Sequence, residues 1–178
     1  MNKALLLDRD GVINHDPGYT HKIESFVFNE GIFELCKGFA QAGFQIFVIT
    51  NQAGIAKGYY SELDFLKLTD WMQQRFLDKG INIAKVYYCP FHPEASIAAY
   101  KKDSFDRKPN PGMILQAKKE FSLELSRSVL IGDKAHDIQA GIAAGVGKNI
   151  IIGDEFHLAS LRFNNIKEVS IARIWEDL

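Results

Sequence analysis

The sequence predicts an α/β fold, a doubly wound, mostly parallel, Rossmann-like sheet with helices on both faces and no separate cap domain. Apolar runs of strand length alternate with segments of helical periodicity, which is typical of parallel sheets that are buried on both faces. The length of 178 residues fits one domain of ordinary size. No internal repeat or linker-like composition divides the chain, so we expect residues 1–178 to form a single domain.

The strands are predicted from continuous apolar runs, because both faces of such a strand are covered. We predict strands at 3–8, 45–50, 84–88, 128–132 and 149–152, with a weaker sixth near 168–172.

Four helices are predicted between these strands from apolar residues at helical spacing. The first covers about 30–42, and the second opens at 61–64 with a Ser-Glu-Leu-Asp capping-box pattern. The third begins at Asn110-Pro111, where an N-cap residue precedes proline at the first helical position. The fourth covers about 135–144 and ends at Gly145, which suits a left-handed cap.

The composition excludes several classes of protein. With 21 Lys+Arg against 22 Asp+Glu, the net charge of −1 argues against nucleic-acid binding. No apolar stretch approaches the roughly 18 residues that a membrane span needs, and the N-terminus does not resemble a secretory signal. Two distant cysteines do not make a disulfide framework. We expect a cytoplasmic monomer that binds no nucleic acid and no membrane.

The residues that end the strands are the first candidates for a site, since ligands of doubly wound sheets bind beyond the carboxyl ends of the strands. The first strand ends in Asp8-Arg9-Asp10. Two carboxylates so close raise one another's pKa unless a cation lies between them. Mg²⁺ prefers hard oxygen ligands and is a natural partner. A helix N-cap or a solvated turn is the alternative.

Three further segments carry polar groups to the same edge. Residues 50–52, Thr-Asn-Gln, can donate hydrogen bonds to a phosphoryl oxygen, although they also suit a plain turn. Arg107 and Lys108 precede a predicted helix N-terminus, which favours an anion, although a solvated basic pair is common. Asp133 and Asp137, one helical turn apart, could serve a metal or merely cap a helix.

Two connections are longer than turns, residues 11–29 and 89–107. Structureless loops of that length are usually functional. We expect a substrate loop at about 14–23 and a second loop at about 89–107 to roof the site.

The motifs in this order resemble the haloacid dehalogenase (HAD) superfamily of phosphohydrolases: DxDG after the first strand, Thr after the second, Lys before a helix and GDxxxD after the fourth. The sequences of these motifs most resemble those of the branch of histidinol-phosphatases and D,D-heptose bisphosphate phosphatases. The matching segments are LDRDGVIN, ITNQAGIAKG, YYCP, RKPNPGM and IGDKAHD, spread across residues 5–145.

The resemblance implies a mechanism. Asp8 would attack a phosphate monoester to form an aspartyl-phosphate, and Asp10 would act as general acid and then as general base. Mg²⁺ would be held by Asp8, by the backbone carbonyl of Asp10 and by Asp133. Thr50 and Lys108 would hold the phosphoryl oxygens.

The resemblance also implies which residues contact a sugar-phosphate substrate and which support the site. The implied substrate-binding residues are Asp16, Gly18, Tyr19, Thr50, Asn51, Gln52, Arg107 and Lys108. Asp137 and Lys134 are expected to support it, Asp137 by orienting the metal ligand Asp133 or by bonding Lys108.

The sequence departs from its branch in the second loop, where relatives commonly carry a structural zinc on Cys-x-His and Cys-x-Cys. Here the two segments read Cys89-Pro90-Phe91-His92 and Ser104-Phe105-Asp106. Only one ligand remains in register, so we expect no bound zinc and expect Phe91 and Phe105 to pack the loop instead. An irregular site formed by Cys89, His92, Asp103 and Asp106 is the alternative.

The function implied by the resemblance is hydrolysis of a phosphomonoester, with D-glycero-D-manno-heptose 1,7-bisphosphate cleaved at its 7-phosphate for lipopolysaccharide or other surface-glycan synthesis. Histidinol phosphate is the alternative substrate. A non-catalytic sugar-phosphate binder or a receiver-like module is the alternative of another class. A receiver would carry its acceptor Asp at the end of the third strand, which here reads Tyr87-Tyr88-Cys89.

Overall fold

The computed structural model describes residues 2–154 and 158–175. Six parallel strands form one sheet in the order β3-β2-β1-β4-β5-β6. The strands are β1 Lys3–Leu7, β2 Phe44–Asn51, β3 Ile83–Cys89, β4 Val129–Gly132, β5 Lys148–Ile152 and β6 Leu161–Phe163. This is the strand order of the doubly wound fold, which confirms the predicted fold class.

The described residues also form six α-helices and four 3₁₀ turns, of which the last helix and the last turn follow β6. The helices are α1 Ile32–Gln41, α2 Ala53–Ala56, α3 Glu62–Leu77, α4 Gly112–Phe121, α5 Ala135–Ala144 and α6 Ile171–Trp175. The 3₁₀ turns are Ile23–Ser25, Ala98–Tyr100, Leu125–Arg127 and Ile166–Glu168. None of the helices in these ranges is long and apolar enough to cross a bilayer.

Alternate residues of β1 face two separate cores. Leu5 and Leu7 pack on one side with buried residues of α1 and α3, whereas Ala4 and Leu6 pack on the other with residues of α4 and α5. The apolar face predicted for the first helix is confirmed, with Ile32, Leu35, Cys36 and Phe39 buried. The capping box of α3 is present, with the Ser61 hydroxyl accepting from the backbone N–H of Asp64.

Two predictions of secondary structure are wrong. The sixth strand is Leu161–Phe163, whereas the predicted range 168–172 holds the end of a 3₁₀ turn and the start of α6. Only three residues pair at this sheet edge, too few for an apolar run to mark the strand. The N-cap of α4 is Pro111, because the side chain of Asn110 instead donates to the carbonyl of Ser104 at 3.2 Å.

The topology places three strand ends together. Leu7, the last residue of β1, is in register with Val48 of β2 on one side and with Ile131 of β4 on the other. The residues that follow these strands therefore converge at the point where the chain reverses its direction across the sheet.

Candidate active site

A pocket of about 240 Å³ opens at the carboxyl ends of β1, β2 and β4. Its wall is formed by Asp8, Asp10, Asp16, Gly18, Tyr19, Asn51, Gln52, Ala53, Tyr60, Arg107, Asp133, Lys134 and His136. Ten of the predicted site residues are in this wall, and the other three, Thr50, Lys108 and Asp137, are buried beside it. A groove of about 720 Å³ lies between α1 and residues 166–171, but the carboxylates converge in the smaller pocket.

The Lys108 ammonium connects three elements beneath the pocket. Its Nζ lies 2.8 Å from Oδ1 of Asp8, 2.7 Å from the carbonyl oxygen of Ile49 and 2.6 Å from Oδ1 of Asp137. Burial alone would lower the pKa of Lys108, but the ion pairs with Asp137 and Asp8 outweigh it and raise that pKa. Lys108 is therefore a fixed positive charge.

The three carboxylates, of which Asp8 and Asp137 are buried and Asp133 is partly buried, differ in their electrostatic balance. Burial raises the pKa of Asp8 well above its usual value, with Lys108 opposing. Burial, and then the neighbouring Asp137, raise the pKa of Asp133 to about 6. Burial also disfavours ionisation of Asp137, but Lys108 outweighs it and holds the pKa of Asp137 below its usual value. Lys134 opposes the rise in the pKa of Asp133, since its Nζ lies 3.3 Å from Oδ2 of Asp133. Lys108 and Lys134 thus set two positive charges against three carboxylates.

Asp8, Asp133 and Asp137 fit a divalent cation. They each offer an oxygen within 4.8 Å of the others, and they are the only such group of three among the residues that the structure describes. Oδ1 of Asp133 is buried without a hydrogen-bond partner in those residues. Carboxylate oxygens are the ligands that Mg²⁺ prefers. The Asp10 carboxylate lies outside this group, and its predicted metal contact through the backbone carbonyl stays a prediction.

Gly11 leaves the space that Asp133 occupies. Its φ is +88°, a conformation that favours glycine. A Cβ atom at this position would overlap Oδ2 of Asp133. The glycine of the DxDG motif is thus required both by the turn after β1 and by the carboxylate that β4 brings beside it.

The Asp10 carboxylate is held on both of its oxygens. Nη2 of Arg9 lies 2.9 Å from Oδ1 and 2.9 Å from Oδ2. Asn14 donates to Oδ1 at 3.0 Å, and Gln52 donates to Oδ2 at 3.2 Å. Arg9 is only 1% exposed, and its Nη2 also donates to the carbonyl of Thr20 in the predicted substrate loop. Asp10 is therefore oriented beside Asp8 by a buried arginine and two amides.

The polar residues that end β2 hold other parts of the site. Asn51 makes two hydrogen bonds of 3.0 Å with the backbone of Lys108, donating to its carbonyl and accepting from its N–H. Gln52 donates to Oγ1 of Thr50 at 2.9 Å as well as to Asp10. The side-chain amides predicted to bind substrate thus have partners in the protein, whereas the proton of the buried Thr50 hydroxyl can still be donated.

Both long connections reach the pocket. Asp16, Gly18 and Tyr19 come from the first, where Asp16 accepts from the N–H of Gly18 and the Tyr19 hydroxyl accepts from Lys57 Nζ at 2.6 Å. Arg107 comes from the second. Its Nη1 is buried without a hydrogen-bond partner in the described residues. The Arg107 guanidinium therefore adds a positive charge to the pocket wall and has an N–H donor that no described residue uses.

The second loop is shaped by hydrogen bonds and one aromatic contact. Sγ of Cys89 lies 3.9 Å from the carbonyl of Phe91, and Nδ1 of His92 accepts from the N–H of Glu94. Phe91 packs on the core, as predicted, and its ring centroid lies 6.2 Å from that of Tyr100. The prediction for Phe105 is wrong, because that side chain is 60% exposed.

Sequence reasoning missed three residues of the site. Arg9 is in the DxDG motif, where its position between two carboxylates was the available signal. Tyr60 and His136 line the pocket, although neither belongs to a strand end. His15 and His21 are in the first long connection, where His15 is exposed and His21 is half-buried, and His157 lies outside the described residues.

Similarity to known proteins agrees with this geometry. The chain is 56% identical over 153 residues to the D-glycero-alpha-D-manno-heptose-1,7-bisphosphate 7-phosphatase of Burkholderia mallei, with 86% of this chain and 81% of the relative covered. The chain belongs to the heptose bisphosphate phosphatase family. This phosphatase is also 41% identical over 149 residues to the D-glycero-beta-D-manno-heptose-1,7-bisphosphate 7-phosphatase of Yersinia pestis, with 84% and 79% covered.

Two further comparisons concern the superfamily and the fold. A HAD-hydrolase-like family model matches residues 105–160 of the phosphatase, the part that carries Lys108 and Asp133. The structure of D,D-heptose 1,7-bisphosphate phosphatase from B. bronchiseptica, complexed with magnesium and phosphate, matches with a TM-score of 0.78 at 23% identity. That match covers 93% of this chain and 94% of the other, and it supports the HAD-like fold.

Proposed function

We propose that this phosphatase removes the 7-phosphate of D-glycero-D-manno-heptose 1,7-bisphosphate through an aspartyl-phosphate on Asp8, in the supply of heptose for surface glycans. The geometry of Asp8 is the observation that carries the mechanism. Its Oδ1 accepts from Lys108, while Oδ2 makes no hydrogen bond to any described residue, and the side chain lines the pocket. An oriented carboxylate with one oxygen left for a ligand is suited to nucleophilic attack.

In the first step Asp8 attacks phosphorus, and the bond from phosphorus to the sugar oxygen breaks. The Asp10 carboxyl gives its proton to that oxygen, so the sugar leaves as an alcohol. Thr50 donates to a phosphoryl oxygen, and the phosphoryl oxygens gather negative charge as the bonds change. The three N–H bonds of Lys108 are directed at Asp8, Asp137 and the carbonyl of Ile49, so Lys108 contributes through its positive charge.

In the second step Asp10 takes a proton from water, and the water oxygen attacks the phosphorus of the aspartyl-phosphate. Inorganic phosphate is released and the Asp8 carboxylate is restored. Both steps use the same oriented Asp10, which the contacts with Arg9, Asn14 and Gln52 support.

We propose Mg²⁺ as the cofactor, held by Asp8, Asp133 and the backbone carbonyl of Asp10. When bound, it would supply positive charge that offsets the repulsion between the phosphate and the carboxylates. The unpartnered oxygen of Asp133 and the raised pKa of Asp8 and Asp133 support this assignment.

The α anomer is the better-supported substrate. The relative at 56% identity carries the α-anomer activity in its name, whereas the relative at 41% identity carries the β-anomer activity. Arg107, a cation with an unpartnered donor in the pocket wall, is placed to bind a second anionic group of the substrate.

Phosphate release from both anomers and from histidinol phosphate, each with Mg²⁺ or with EDTA, tests the proposal. We expect the highest kcat/KM on the α anomer, a lower value on the β anomer, and loss of activity in EDTA that Mg²⁺ restores. A higher kcat/KM on histidinol phosphate would contradict the assigned substrate, and full activity in EDTA would contradict the assigned cofactor.

A further inference from the structure

The side chain of Gln52 is held in one orientation by three hydrogen bonds. Its Nε2 donates to Oδ2 of Asp10 at 3.2 Å and to Oγ1 of Thr50 at 2.9 Å. Its Oε1 accepts from the Tyr60 hydroxyl at 2.5 Å. A rotated amide would place an oxygen against the Asp10 carboxylate, so the donor at Oε1 selects the orientation that supports Asp10.

Tyr60 is itself fixed by its surroundings. It is 8% exposed and packs with Ile55 and Phe65, and the His21 ring stacks on it at a centroid distance of 5.0 Å. Gly54 makes room for it, because a Cβ there would overlap Cε1 of Tyr60. A buried ring seated over a glycine has little freedom to turn its hydroxyl away from Gln52.

The Tyr60 hydroxyl keeps its proton at neutral pH. Burial raises the pKa of Tyr60 to about 12, so the group remains a donor. Gln52 must then present its N–H groups to Asp10 and Thr50.

We propose that Tyr60 is a positioning residue for general acid–base chemistry, which it supports by orienting Gln52 against Asp10. The inference rests on the proposed mechanism, in which the Asp10 carboxyl protonates the leaving oxygen. Tyr60 does not itself exchange a proton with the substrate. Loss of the Tyr60 hydroxyl therefore slows the step in which the Asp10 proton moves to the sugar oxygen as the phosphorus–oxygen bond breaks.

The test compares Tyr60→Phe with the unchanged protein on two leaving groups. A sugar phosphate needs a proton on its leaving oxygen, whereas p-nitrophenolate leaves without one. We expect kcat/KM on heptose bisphosphate to fall by about tenfold or more, with KM changed less than kcat. On p-nitrophenyl phosphate we expect kcat/KM to change by less than about twofold, because kcat/KM reports transfer to Asp8 and not the later attack of water, which needs Asp10 for both substrates.

Tyr88→Phe is the matched control. Tyr88 packs on Phe65 in the same cluster, but its hydroxyl donates to Glu62 at 2.8 Å and not to the site. We expect this variant to retain the activity of the unchanged protein on both substrates. An equal loss of kcat/KM on both substrates for Tyr60→Phe, or the same loss in the control, would overturn the inference.

A crystal structure of Tyr60→Phe provides a readout that does not depend on turnover. We expect Gln52 to rotate or to lose its contact with Asp10, and an unchanged Gln52 would overturn the inference. Absence of activity toward heptose bisphosphate in the unchanged protein would instead contradict the proposed function, so the two failures are distinguishable.

Discussion

At the scale of single residues, the site depends on charges that the fold has taken out of water. Lys108 is 3% exposed and Asp137 is 1% exposed, yet the ammonium faces two carboxylates and one backbone carbonyl. Removing one partner of such a pair is costly because it leaves the other charged and buried. Conservative replacements are therefore the informative ones.

The replacement Asp8→Asn should separate catalysis from folding. The amide side chain would have nearly the same shape as the carboxylate, and Lys108 would keep Asp137 and the carbonyl of Ile49 as partners. We expect kcat to fall by at least about 10³-fold, since the nucleophile is lost. Circular dichroism and thermal unfolding should show the fold retained. Activity within about tenfold of the unchanged protein would refute the nucleophile assignment.

Replacement of Gly11 by Ala should weaken metal binding, because the new methyl group would displace Oδ2 of Asp133. We expect the Kd for Mg²⁺, measured by calorimetry, to rise by about tenfold or more as a carboxylate ligand is moved. Gly80→Ala is the control, since Gly80 also has a positive φ, +75°, but has open space around it. Both variants should lose about 1–2 kcal/mol of stability from backbone strain. Equal Mg²⁺ affinity in the two variants would contradict the proposed role of Asp133.

At the scale of elements, the N-terminus of α3 shows how a local motif sets a boundary. Ser61 accepts from the N–H of Asp64 at 3.1 Å, and Asp64 accepts in return from the N–H of Ser61 at 2.9 Å. Hydrogen bonds from the backbone and side chain of Ser61 lower the pKa of Asp64. This pattern is local in sequence, and for that reason it could be predicted.

The cap should contribute to stability in a pH-dependent way. We expect Ser61→Ala to lower the free energy of unfolding by about 1 kcal/mol at pH 7. Because the pKa of Asp64 is lower in the folded state, its contribution is present above its ordinary value of 3.8 and is lost as the pH falls through the lower folded value. The difference in free energy of unfolding between Ser61→Ala and the unchanged protein should therefore become smaller as the pH falls below 3.8. Ser126→Ala, at an exposed serine outside any cap, is the control, and a difference independent of pH would argue against the capping-box contribution.

Elements without such a local signal were the ones missed. The strand Leu161–Phe163 and the helix Ala53–Ala56 are only three and four residues long, so neither spans enough residues to show a period. Their conformation depends on tertiary contacts, such as the pairing of Leu161–Phe163 with residues 150–152 of β5. Long elements with a buried face are predicted more accurately. The predicted range 30–42 for α1 and the predicted start of α3 at 61–64 lie within two residues of the observed bounds.

At the scale of the whole molecule, the convergence of Asp8, Asp133 and Asp137 could be predicted, because parallel strands bring their carboxyl ends to one edge. Topology also brings Arg9 to this edge, but the sequence does not tell that its side chain contacts Asp10, and Tyr60 and His136 belong to no strand end. The parts of the site that follow topology were thus accessible from the sequence, and the parts that follow side-chain packing were not.

The second loop leads to a prediction about metal content. Cys89 and His92 already hydrogen-bond within the loop, and the loop lacks the Cys-x-Cys segment of its branch. We expect the purified phosphatase to contain no stoichiometric zinc by elemental analysis. Its phosphatase activity with Mg²⁺ should be unchanged after dialysis against a zinc-selective chelator. One zinc per chain would contradict this prediction.

Because β1 lies between β2 and β4 in the sheet, the site is assembled from two portions of the chain. Asp8 and Asp10 come before the exposed residues Pro93 and Glu94 in the sequence, whereas Lys108, Asp133 and Asp137 come after them. A chain cut at this turn would yield two fragments that must join along β1 and β4 before Lys108 can meet Asp8. Recovered turnover would then report fragment association, which makes the phosphatase a natural scaffold for a split-enzyme reporter.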